Sequence, residues 1–100
     1  MKTQTLHSIL AKLSEEFSSL QKKYDIQRIG IFGSYARRDN DQNSDIDVVV
    51  HMPPSAFQIV HLRDFLEELL DESVDIVRYR EGMNSFLRNQ IDREAVYVSI

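Results

Sequence analysis

Leu6, Ile9, Leu10, Leu13, Phe17, Leu20 and Tyr24 recur at spacings of three and four, with Ser, Lys, Glu and Gln between them. This pattern is an amphipathic helix, expected to begin near Thr3 or Thr5 and to end before Tyr24-Asp25. So long an apolar stripe must lie on a second layer, and the next residues supply one. Arg28-Ile29-Gly30-Ile31-Phe32 is a β-rich run that stops at Gly33-Ser34. Tyr35 to Arg38 fit a helical turn with Ser34 as its cap, and residues 39–44 are polar turn material. A second strand, residues 45–50, ends before Pro53-Pro54.

Ser55 is placed to cap a long helix whose buried stripe is Ile59, Leu62, Phe65, Leu66, Leu69 and Leu70. Val74-Asp75-Ile76-Val77 reads as a third strand. Gly82 and Asn84 open a last helix with Met83, Phe86, Leu87 and Ile91 inward, and residues 95–98 read as a terminal strand. Helices alternating with three or four strands predict an α/β (α+β) domain, a small mixed sheet flanked by helices.

The chain is 100 residues long, enough for one domain over 1–100. Twelve Lys and Arg against sixteen Asp and Glu give a net charge of −4, the wrong sign for life on phosphate backbones. Direct nucleic-acid binding is therefore not expected. The absence of Cys excludes disulfides, thiolate zinc sites and cysteine nucleophiles. No apolar run approaches the roughly 20 residues of a membrane span, and the first residues do not form a signal-peptide core. A cytoplasmic protein with no membrane contact is the expectation.

Acidic residues stand inside two of the apolar strands. Asp45 and Asp47 lie at i and i+2, so their side chains share one strand face. Two carboxylates held together repel unless they sit in water or share a cation, and an oxygen-only pair suits Mg²⁺ or Mn²⁺. Asp75 adds a third if its strand lies beside the second. Such a trio around one or two Mg²⁺ ions is what nucleotidyl transfer uses. Taken alone, this pattern reads equally well as the end of a turn and an exposed strand face. Gly33-Ser34 shifts the balance. Gly lets the backbone approach a ligand closely, while nearby N–H groups and the Ser hydroxyl suit phosphate oxygens. Arg37 and Arg38 add charge-assisted contacts for phosphate. His7, His51 and His61 are too widely spread to suggest a metal site.

Gly33-Ser34, ten residues, then Asp45-Ile46-Asp47 resembles the GS-x10-DxD signature of the DNA polymerase β-like nucleotidyltransferase superfamily. The stretch Ile31-Phe32-Gly33-Ser34-Tyr35-Ala36-Arg37 closely resembles the minimal nucleotidyltransferase family within it. Asp75 falls where that family places its third carboxylate. The resemblance implies a single minimal nucleotidyltransferase domain and an antitoxin paired, as a hetero-oligomer, with a HEPN-type ribonuclease toxin. The implied reaction is Mg²⁺-dependent transfer of AMP from ATP to a tyrosine hydroxyl of the toxin. It implies Gly33, Ser34 and Arg37 as triphosphate contacts and Asp45 and Asp47 as Mg²⁺ ligands, with Asp75 completing the catalytic and metal set.

Arg38 departs from the family pattern, which usually has Gly there, and a backbone needing positive φ at that position would make Arg costly. Two other readings stand beside the enzyme. One is an antitoxin that neutralises its partner by contact alone. The other is transfer to a small molecule, which a chain of this length argues against.

Overall fold

A computed structural model describes residues 4–98. The first helix, α1 (Leu6–Tyr24), starts where the Thr5 hydroxyl accepts the Ser8 N–H at 3.1 Å. The alternative start at Thr3 lies outside the described residues. α1 runs one residue past its expected end, because its stop is set by Asp25, in the left-handed region at φ 58. The Asp25 N–H donates to the Gln21 carbonyl, a C-cap that a short polar side chain tolerates.

β1 (Arg28–Phe32) leads into a single helical turn, α2 (Ser34–Arg37). The N-cap of that turn is Gly33 and not Ser34, and no side chain caps it. β2 (Ile46–His51) is followed by α3 (Ala56–Leu70), which Ser55 caps as expected by accepting the Gln58 N–H at 3.2 Å. β3 (Val74–Arg78), α4 (Ser85–Glu94) and the two-residue β4 (Val96–Tyr97) complete the order. Among the described residues no helix is long and apolar enough to cross a membrane.

The sheet runs β3-β2-β1-β4. β1 is antiparallel to both β2 and β4, whereas β2 and β3 are parallel. A parallel pair needs a crossover of a dozen or more residues, and α3 supplies it. Alternation then gives the sheet two different faces. Ile29, Ile31, Ile46, Val48 and Val50 turn towards α1 and α3 and meet Ile9, Leu13, Leu62 and Leu66, all fully buried. Each such Leu or Ile contributes about 1.5–3 kcal/mol by leaving water.

The opposite face carries a smaller cluster, in which Ile91 of α4 packs with Phe32 and Val49. Met83 and Leu87 join its edge as expected. Phe86 does not: it is 82% exposed. It lies about 140° around the helix from Ile91, so α4 cannot turn both inward at once.

Arg38 ends α2 at φ 66, and its N–H reaches the carbonyls of Ser34 and Tyr35. The position does need the left-handed region, and Arg occupies it. A non-glycine residue there costs roughly 1–2 kcal/mol, partly offset by the lower unfolded-state entropy relative to Gly. Arg38→Gly is therefore expected to stabilise the domain by up to about 1 kcal/mol in urea denaturation. A loss of stability would mean that the Arg38 side chain makes contacts worth more than the backbone strain.

Candidate active site

The second sheet face is where the acidic residues emerge. Asp47 follows the alternation of Val49 in β2, and Asp75 that of Val77 in β3, so both point to the α4 side. The parallel register sets Asp47 directly opposite Asp75. Neighbouring strands lie about 4.8 Å apart, so the backbone itself delivers this pair. Asp45 sits just before β2, two residues from Asp47 and exposed. Asp75 is also exposed, while Asp47 is half-buried.

Asp47 bears the electrostatic consequence. Burial first, then the charges of Asp75 and Asp45, push its carboxyl up to about 6 from 3.8. Arg37 pulls the other way and Glu94 adds to the rise. Crowded carboxylates of this kind are a donor set of oxygens for a hard divalent cation. Among the described residues, however, no three His, Cys, Asp or Glu side chains are grouped to hold a metal ion. The backbone brings the acids together; their side chains do not enclose a site in this structure.

Gly33 joins the turn to the acids. It is buried, with φ 76, and a β-carbon there would collide with the Asp47 carboxylate, lying 3.0 Å from its Cγ. Ser34 is half-buried beside it, and Tyr35 packs in the main core at 1% exposure. Arg37 is exposed but engaged. Its Nε donates to Asp39 at 3.1 Å and its Nη1 to both carboxylate oxygens of Glu94, at 3.1 and 3.2 Å. The connection to β2 is pinned by Asp41, which accepts from the Asn43 N–H and the Ser44 hydroxyl.

Glu94 is the residue that sequence reasoning missed. It accepts the Gly33 N–H at 3.2 Å and the Gln90 amide at 3.2 Å in addition to Arg37. Burial works to raise it, but the hydrogen bonds from Gln90, Arg37 and Gly33 outweigh that and hold its carboxyl below the ordinary value. No local signal separates Glu94 from Glu67 or Glu68; only the return of α4 across the sheet brings it here.

His51 has a packing role, as its isolation in sequence suggested. It stacks on Tyr79 with ring centroids 4.7 Å apart and shares a 2.8 Å hydrogen bond with the Tyr97 hydroxyl. A cavity of about 440 Å³ is lined by Gln4, Thr5, Leu6, His7, Arg38 and Asn40, with none of the three aspartates in its wall.

This geometry has counterparts. The nucleotidyltransferase domain family model matches residues 10–98. The chain belongs to that family. Protein adenylyltransferase MntA of Thermococcus cleftensis is 33% identical over 96 residues, covering 94% of this chain and 96% of the relative. A solved structure provisionally described as a minimal nucleotidyltransferase superposes with a TM-score of 0.76 at 32% identity, covering 96% of this chain and 98% of that one. A toxin–antitoxin crystal structure with AMP-PNP superposes with a TM-score of 0.70 at 26% identity, over 86% of this chain and 72% of that one. The expected polymerase β-like minimal nucleotidyltransferase fold is thus the fold observed.

The raised Asp47 carboxyl has a sign. Asp47 holds its proton more tightly in the native protein than in the unfolded chain. Its contribution to stability therefore falls as pH rises from 3.8 towards about 6, and is level above that. Asp47→Asn removes the charge and is expected to raise Tm at about pH 7.5, with the gap closing towards about pH 4. Each kcal/mol gained moves Tm by roughly 4–8 °C in a domain of this size. A gap that does not change with pH would show that Asp47 does not carry this strain.

Proposed function

We propose that this nucleotidyltransferase is a protein adenylyltransferase, moving AMP from ATP to a tyrosine hydroxyl of a HEPN-type toxin and thereby acting as its antitoxin. The observation that carries the reading is the contact of Gly33 with Asp47, which puts the proposed phosphate turn and the opposed acids in one place. The adenylyltransferase name of the Thermococcus relative and the AMP-PNP of the toxin–antitoxin neighbour support it.

Asp45, Asp47 and Asp75 would hold Mg²⁺, as one or two ions, with Mn²⁺ as the alternative. Bound there, the metal supplies neutralisation of the phosphates and stabilisation of the departing pyrophosphate. Gly33 contributes close approach of the backbone to Asp47, and Ser34, the next residue, a hydroxyl. The acceptor oxygen forms its bond to the α-phosphorus as the bond to pyrophosphate breaks. Asp75, exposed on β3 opposite Asp47, takes the proton of the incoming hydroxyl. Arg37, which holds Asp39 through Nε and Glu94 through Nη1, stands on the same turn to meet phosphate.

The contact-only reading has one support in the absence of a closed metal trio among the described residues. Its other support is Arg38, which stands where the family usually has Gly and takes a positive φ of 66.

The test is to incubate the chain with its HEPN-type partner, ATP and Mg²⁺, and to record intact masses. One or more AMP groups are expected on the partner. Asp45→Asn and Asp47→Asn should each lower transfer by at least about 100-fold while preserving the complex. A stable complex with no mass change under any nucleoside triphosphate would leave the contact-only antitoxin.

A further inference from the structure

Glu94 presents an arrangement that the proposed reaction does not use. Its Oε1 gathers three donors: the Gly33 N–H at 3.2 Å, Arg37 Nη1 at 3.1 Å and Gln90 Nε2 at 3.2 Å. Its Oε2 shares Arg37 Nη1 at 3.2 Å. One anionic oxygen held by a backbone N–H, a guanidinium and an amide is held as a phosphate oxygen is held. The carboxylate is well covered, its side chain 16% exposed, whereas Arg37 is open to solvent at 44%.

We propose that Glu94 is an internal competitor for the phosphate seat of this site, and that Gln90 is a further member of that seat. The inference rests on the reading that the site binds a nucleoside triphosphate. Glu94 occupies the donors that a terminal phosphate needs, and a polyphosphate binds by taking them over. Charge makes the exchange favourable: the carboxylate offers Arg37 a single negative charge, and a polyphosphate several. Glu94 stands at the last residue of α4, where the chain leaves the helix at Ala95 in an extended conformation, so its withdrawal leaves the helix intact. The residue thereby sets how tightly the site takes a polyphosphate, lowering affinity in exchange for an occupied seat.

Inorganic tripolyphosphate with Mg²⁺ is the probe, titrated calorimetrically into the full chain, Glu94→Gln and Asp39→Asn. Glu94→Gln is expected to bind about five- to tenfold tighter than the natural chain. Asp39→Asn removes the other carboxylate from Arg37 but leaves the seat filled, so its gain should stay below about twofold. An equal gain in both variants would reduce the effect to net charge and overturn the proposal. Unchanged or weaker binding by Glu94→Gln would overturn it too, making Glu94 a permanent brace of the turn.

A second measurement needs no variant. On saturating the natural chain with tripolyphosphate, the Glu94 carboxyl carbon, the Gln90 side-chain amide and the Gly33 amide resonances should shift together. A stationary Glu94 carboxyl resonance would refute displacement. Should neither the natural chain nor Glu94→Gln bind tripolyphosphate or Mg-ATP, the nucleotide reading fails and this proposal with it. Binding by the natural chain without a gain in Glu94→Gln removes the proposal alone.

Discussion

The backbone of Gly33 lies where any side chain would enter the Asp47 carboxylate. The rest of the site depends on this contact. It places the turn after β1 against the middle strand's acidic residue, and it does so with a φ that glycine adopts freely. Because Asp47 is half-buried beneath that turn and faced by Asp75, its charge is disfavoured. The domain therefore holds a destabilising charge at the point where chemistry is proposed. Strain of this kind persists only where the surrounding structure over-determines it.

That surrounding structure is asymmetric. One sheet face is sealed by α1 and α3 over a dense aliphatic core, and this is where most apolar burial occurs. Among the described residues, the other face carries α4 and a small cluster around Ile91. A polar site can exist on the second face because the first already supplies the stabilising area. The division follows from strand alternation: Ile46, Val48 and Val50 go one way, Asp47, Val49 and His51 the other. α4 then ties the polar face together through Glu94, which reaches Gly33 and Arg37 from the end of the chain.

Much of this was legible in the residues. The stripes of α1 and α3, the Thr5 and Ser55 caps and the strands around Gly33 and Asp47 follow from periods of 3.6 and 2 and from capping chemistry. The spacing from Gly33-Ser34 to Asp45 and Asp47 was sufficient to indicate the family. The errors have physical causes. Phe86 is apolar but falls outside the arc that α4 can bury together with Ile91. Ser34 resembles a cap in sequence, yet the turn starts one residue earlier because Gly33 supplies the needed backbone angle. The carboxylates of Asp39 and Glu94 that hold Arg37 were not foreseen, because Glu94 is brought there only by the fold.

The sequence by itself determined the elements, their order and the presence of an acidic motif after a Gly-Ser turn, since each depends on residues within a few positions of one another. Only the tertiary structure decided that Asp75 stands opposite Asp47, because strand register is a property of the assembled sheet. It alone decided that Glu94 closes on Gly33, a contact across 61 positions that no local pattern encodes. The physical reason is the same in both cases. Hydrogen bonding and charge act through space, and only the packed sheet and helices bring these distant groups within their range.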